Sequence, residues 1–167
     1  PHSAVTLVIE FGAGRLVIDH AAGREQQGCI IAGLASGGLQ VRGEGIECVQ
    51  VRLSPVVAHA ALGACPADLG HAVVSLEEVL GQDAARVQDQ LREAPSWDER
   101  FAIADAMLLL RYQAGPSVDP EVARAWERIV ATRGQVRVDA LAVETGWSRK
   151  RLWARCQSQI GLSPKRA

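Results

Sequence analysis

The sequence predicts an α+β protein: a small N-terminal β-sheet or partial barrel carrying helices, followed by an all-α helix-turn-helix segment. Three observations predict it. Residues 4–53 are short β-branched runs punctuated by glycine. From Ser54-Pro55 onward the apolar spacing becomes helical, with repeated capping signals. The last third of the chain changes sign of charge. Residues 1–117 carry 8 basic and 14 acidic side chains, and residues 118–167 carry 10 basic and 5 acidic. The halves are therefore −6 and +5 within a chain of net charge −1. Such asymmetry points to a polyanionic partner at the basic end.

The 167 residues are 48% hydrophobic and 22% charged, close to the globular average, which excludes wholesale disorder. No apolar run reaches the roughly 18 residues of a membrane span, and no basic-then-apolar leader opens the chain. The expectation is a cytoplasmic protein with no membrane partner. Cys29, Cys48, Cys65 and Cys156 are scattered without a Cys-x-x-Cys pair, which fits reduced thiols and argues against a zinc ribbon. Sixteen Arg against two Lys, and no Asn, point to a GC-rich, bacterial coding bias. A start at Pro1 and a stop within the basic Lys165-Arg166-Ala167 read as a fragment trimmed at both ends.

Strands are expected in AVTLVIEF, GRLVID, GCIIAGL, GLQVRG and IECVQVRL, with turns at Ala13-Gly14, Ala22-Gly23 and Gly37-Gly38. VVAHAALGA reads as a short helix begun by Pro55 and ended by Gly63. Pro66-Ala67-Asp68-Leu69 opens another turn or short helix. Ser75 with Glu78, and Ser96 with Glu99, have the spacing of capping boxes. Ala84, Val87 and Leu91 lie on one face of an amphipathic helix over 82–94. Trp97, Phe101, Ala104, Leu108 and Tyr112 form a stripe on a helix running to about Arg111. Residues 113–117 are the expected linker between a domain at 1–114 and one at 118–167. Asp119 is expected to cap a helix with Pro120 at its first position; Val122, Trp126, Ile129 and Val130 are its buried face, and Gly134 stops it.

Residues 138–160, VDALAVETGWSRKRLWARCQSQI, carry the chemistry. Ala142, Gly146, Ser148 and Leu152 have helix-turn-helix spacing. Ala142 lets two helices cross closely, Gly146 takes the left-handed conformation that ends the first, and Ser148 caps the second. Leu141 and Leu152 are the expected contact between them. The spacing alone fits any helical hairpin. The charges sharpen it: Arg149, Lys150 and Arg151 fill the first turn of the second helix. That is the positive end of the helix dipole, where each cation costs about 0.3–1 kcal/mol. Three cations there make sense when a phosphate backbone meets them. The N-terminal part of a recognition helix is also what enters the major groove.

LAVETGWSRKRLWARCQSQIGLSPKR resembles the first helix-turn-helix of AraC/XylS-type transcriptional regulators. The resemblance rests on Leu141, Ala142, Gly146, Ser148, Leu152, Gly161, Ser163 and Pro164, and DPEVARAWERIVATRGQVRV is similar to the family's first scaffold helix. RLSPVVAHAALGACPADLGHAVVSLEEVLG followed by SWDERFAIADAMLLLR resembles the sensor and connecting helices of one subgroup, and the β segment resembles the effector domain only loosely. Cys156 stands where the family usually has an aromatic. The family's module has two helix-turn-helix units, and the chain ends where the joining helix would begin. The resemblance implies that Lys150, Trp153 and Ala154 face base edges, and that Ser148, Arg149, Arg151 and Gln157 lie near phosphates or the groove rim. Trp147 and Trp126 are expected in the core.

The expected function is a DNA-binding transcriptional regulator, not an enzyme. Its partners would be double-stranded DNA, a small-molecule effector and a second copy in a homodimer. The acidic balance of the N-terminal part suits a neutral or cationic effector, whose pocket residues the sequence does not name. No cofactor is expected. His20, His59 and His71 fall in different kinds of segment with no His-x-His, so no metal site is expected either. Gly12-Ala13-Gly14 is no dinucleotide fingerprint. Ser54 and Ser75 lack a His/Asp constellation. The competing reading is a ligand-binding or enzymatic β-barrel with a helical dimerisation appendage. With one helix-turn-helix, the fragment's expected DNA affinity is near non-specific, on the order of 10⁻⁴–10⁻⁶ M.

Overall fold

The computed structural model describes residues 4–14, 16–19, 25–34, 40–63, 69 and 73–164. Seven strands are present among them: β1 (Val5–Glu10), β2 (Val17–Asp19), β3 (Glu25–Gln27), β4 (Ile30–Ala32), β5 (Gln40–Arg42), β6 (Cys48–Leu53) and β7 (Val73–Ser75). The helices are α1 (Pro55–Leu62), α2 (Leu76–Leu80), α3 (Gln82–Glu93), α4 (Trp97–Ala114), α5 (Pro120–Ala131), α6 (Val138–Thr145) and α7 (Arg149–Ile160). The protein is α+β, as the sequence predicts.

One antiparallel sheet has the order β6-β1-β4-β7 and a second has β3-β2-β5. The period-2 alternation of β1 sends Val5, Leu7 and Ile9 to one face, against the helices, and Val8 to the other. Leu16 and Ile18 meet Val8, Ile30, Ala32 and Val73 between the two sheets. Ile31 turns the opposite way, into the helical layer. Both faces of β4 are covered, and all three of its residues are buried. Glu10 is buried at the sheet margin, where its carboxylate accepts from the Leu16 amide at 3.1 and 3.2 Å. That bond offsets the cost of a charge away from water.

β3 and β7 were not expected from the sequence. Glu25-Gln26-Gln27 has no β-branched residue, and Val73-Val74-Ser75 ends on a helix cap. Each is recruited by pairing with a neighbour, β2 and β4 respectively. The expected turns at Ala22-Gly23 and Gly37-Gly38, the segment Pro66-Ala67-Asp68, and Cys65, His20 and His71 lie outside the described residues.

The helix caps follow local chemistry. Ser54 Oγ accepts from the Val57 amide, Pro55 holds the first turn of α1, and Gly63 ends it at φ 68°. Both Ser54 and Ser75 thus act as caps. Ser96 Oγ accepts from the Glu99 amide, as its spacing predicts. Ser75 departs from expectation: it accepts from Glu77, one residue short of the box, at the start of the five-residue α2. The α4 stripe is also divided. Ala104 and Leu108 are buried, whereas Trp97, Phe101 and Tyr112 stand about half exposed.

Two arginines bind α4 to its neighbours. Arg100 Nε donates to the Leu91 carbonyl at 3.0 Å and Arg111 Nε to the Ala61 carbonyl at 2.9 Å. Past α4 the chain turns at Gly115 against α1. A Cβ on Gly115 would stand 1.8 Å from the Ala60 carbonyl oxygen. Gly115→Ala must push α1 and the linker apart, and a cost of about 1–3 kcal/mol is expected, typical of forced overpacking. A urea titration reading less than about 0.5 kcal/mol would mean the contact yields freely.

The C-terminal helices enclose their own core of Val122, Ala125, Trp126, Ile129, Leu141, Ala142, Leu152, Cys156 and Ile160. Val130, placed on the buried face by sequence, is partly buried. This core is not insulated from the N-terminal layer. Val56 of α1 packs against it, and α1 lies along α7.

Candidate nucleic-acid interface

α6 and α7 form the expected helical pair. Gly146 takes φ 70°, and the Trp147 amide returns to the Ala142 carbonyl at 3.1 Å, closing the turn. Ser148 caps α7 by accepting from the Arg151 amide at 3.2 Å. Leu141 and Leu152 are wholly buried. The burial period of α7 is helical: Leu152, Cys156 and Ile160 face inward, so positions 150, 154 and 158 fall on the outward side.

The candidate contact residues separate accordingly. Ser148, Arg149, Lys150, Arg151, Trp153 and Ala154 are exposed, Trp153 at 52%. Gln157 is half-buried, with Nε2 donating to the Gly161 carbonyl at 3.4 Å, which draws it towards the helix end. Arg149 Nη1 meets Asp139 Oδ1 at 3.1 Å, across the turn in α6. The Arg151 guanidinium lies 4.5 Å from the Trp147 ring centroid. That stack holds the arginine near the helix start while leaving its N–H fork exposed. Trp147 is partly buried against the core, and Trp126 is inside it. The partners of Arg149 and Arg151 both belong to the C-terminal helices, so neither group is consumed by the acidic N-terminal half.

Asp119 corrects a sequence expectation. It stands at the N-cap position of α5, but its side chain makes no cap bond. The carboxylate instead takes Arg155 of α7 bidentately, Nε at 2.7 Å and Nη2 at 3.1 Å. The Asp119 amide donates to Gln159 Oε1 at 2.9 Å. Three hydrogen bonds thus fasten the start of α5 to α7. No spacing rule joins residues 36 positions apart, which is why the sequence did not show this pair.

The Arg155 guanidinium holds the Asp119 carboxyl below the usual carboxylate range. A lowered folded pKa contributes stability above the unfolded value, about 3.9 for Asp, and loses it as pH falls through the folded value. The advantage of the native protein over Asp119→Asn should be constant from neutral pH to about 5 and shrink below about 4. Acid titrations followed by circular dichroism check this; parallel acid limbs for the two proteins would contradict it.

The three described cysteines are poor nucleophiles. Burial pushes the Cys156 thiol up to about 11, and raises those of Cys29 and Cys48, which are half-buried. His59 lies in α1 with Nδ1 buried and unpartnered. Among the described residues no group of three His, Cys, Asp or Glu side chains is arranged to hold a metal ion. Among them, too, no helix is long and apolar enough to cross a membrane. Comparison with family models, curated proteins and solved structures finds no match for the chain.

Proposed function

We propose that this chain is a DNA-binding transcriptional regulator that docks α7 in the major groove, with Lys150, Trp153 and Ala154 towards base edges. Ser148, Arg149 and Arg151 meet the phosphates, and Gln157 lies at the rim. One observation carries the reading: α7 buries one face completely while its first turn presents three exposed cations and no acid. A helix selected only for stability would place acidic residues there. The resemblance to AraC/XylS-type regulators supports the same reading.

Occupancy of a promoter is modulated by a small neutral or cationic effector bound to the N-terminal part. Contact of α1 with α7, and the packing of Val56 against the C-terminal core, connect the two halves physically. An effector acts by binding one arrangement of them better than the other.

Replacing Lys150 with Ala relaxes the preference at one base position by about 1–3 kcal/mol, because Lys donates to guanine O6 and N7. Selection from a randomised duplex pool, with native protein and Lys150→Ala side by side, tests the reading. An unchanged base preference removes Lys150 from the reading set. Because one helix-turn-helix is expected to bind near non-specifically, the selection is run at low salt, and a pool left without enrichment by the native protein there sinks base reading by α7.

A further inference from the structure

We propose that the groove between α3 and α4 is a binding site for a small amphipathic carboxylate, a single anionic head on a short apolar tail. The two helices run antiparallel, since Asp83 meets Arg111 at one end and the Leu91 carbonyl meets Arg100 at the other. Between them lies an open groove of about 330 Å³. Small-molecule pockets begin at about 300 Å³. At the ~30 Å³ that a water-sized group occupies, the groove holds on the order of ten non-hydrogen atoms, the size of octanoate.

The lining is segregated along the groove. Val87, Ile103, Met107 and Leu110 make an apolar trough, and the thioether of Met107 adapts to the shape of a tail. Asp83, Arg86 and Arg111 stand together at one end. Gln90 lines the other end, so the trough follows α3 from residue 83 to residue 90, about 10 Å at 1.5 Å per residue. A carboxylate at Arg86 and Arg111 leaves its tail lying over Met107 towards Ile103. A two-chained lipid exceeds this space.

Charge selects the head group. Arg86 Nη1 lies 3.7 Å from Asp83 Oδ1, and Arg111 Nη1 lies 3.3 Å from Asp83 Oδ2. Two guanidiniums thus share one carboxylate, and Asp83 is the only acid among the described residues that line the groove. One positive charge is left over. Both contacts are longer than the roughly 2.7–2.9 Å of a well-made charged hydrogen bond, so Asp83 does not saturate either arginine. Arg111 is held from behind: its Nε donates to the Ala61 carbonyl of α1 at 2.9 Å, and only 25% of its side chain is exposed. A guanidinium has more N–H donors than these bonds use, which leaves some for an incoming oxygen. The half of the chain that carries the groove is acidic overall, but the lining decides what a groove holds.

Isothermal titration calorimetry of the full chain with straight-chain carboxylates tests the proposal without DNA, so its outcome is separate from the assignment of α7. Octanoate is expected to bind one-to-one with a Kd on the order of 10⁻⁴–10⁻³ M. Affinity should rise about two- to fourfold per methylene from butanoate to octanoate and level off beyond decanoate, where the trough ends. Octylammonium should bind the native chain at least about tenfold more weakly than octanoate, because it forfeits the charged hydrogen bonds. Ala106→Trp fills the trough from an exposed position. It should lower octanoate affinity at least about tenfold by displacing the tail, with the circular dichroism melt unchanged. Arg86→Glu, also at an exposed position, should reverse the preference between octanoate and octylammonium. A native chain that shows no saturable binding of octanoate overturns the proposal. So does an affinity that keeps climbing through dodecanoate, an Ala106→Trp protein that binds octanoate as tightly as the native chain, or an Arg86→Glu protein that still prefers the anion.

Discussion

Leu152→Ala is expected to unfold the C-terminal helices while the N-terminal sheets remain folded. Leu152 is wholly buried among Leu141, Trp126, Ile129 and Cys156, and truncating such a leucine costs about 2–5 kcal/mol. The C-terminal unit has few residues to draw on. At roughly 0.05–0.15 kcal/mol per residue, some fifty residues hold about 2.5–7.5 kcal/mol. The loss therefore rivals the whole. Intrinsic fluorescence should report the release of Trp126, and DNA binding should vanish with it. Val143→Ala, on the solvent side of α6, is the control and should stay within about 0.5 kcal/mol of the native protein. A single cooperative transition shifted evenly along the whole chain would show that the Val56 contact fuses the two cores into one folding unit.

The parts of this architecture that sequence disclosed are those written in local chemistry. Ser148, Gly146 and Leu152 define α6 and α7 because a cap, a left-handed glycine and a buried leucine each act over a few residues. Ser54-Pro55 and Ser96 likewise mark α1 and α4. What the sequence withheld depends on distant partners. Glu25–Gln27 becomes a strand only because β2 offers it a ladder. Asp119 abandons the cap it is suited to because Arg155, a helix away, offers two charge-assisted hydrogen bonds. The α4 stripe misled for a related reason. Helical periodicity shows that Trp97, Phe101, Ala104, Leu108 and Tyr112 are near one another, but not how much of that arc the neighbouring elements cover.

In the candidate interface, the exposed cations were legible from their crowding at a helix start. Their internal partners, Asp139 and Trp147, were not. Those partners preorganise the charges without neutralising them all. Of the three cations Asp139 offsets only Arg149, sharing its carboxylate with Arg137, and Trp147 leaves Arg151 its full charge. The second large effect follows from this. The triple replacement Arg149→Gln/Lys150→Gln/Arg151→Gln removes the positive turn while keeping polar, helix-compatible side chains on an exposed surface. Each lost phosphate contact lowers the salt dependence of binding by about 0.9, so losing those of Arg149 and Arg151 should lower the slope by about 1.8. The fold should be unaffected, because none of the three side chains enters the core.

The most direct measurement is therefore the affinity of the native chain and the triple variant for duplex DNA as a function of salt. The account predicts linear log–log plots whose slopes differ by about 2. It predicts a native advantage of about 10²-fold near 0.1 M salt that closes towards 1 M. Equal slopes for the two proteins, or binding by the native chain that salt leaves unchanged, would contradict the assignment of α7 as the DNA-contacting helix.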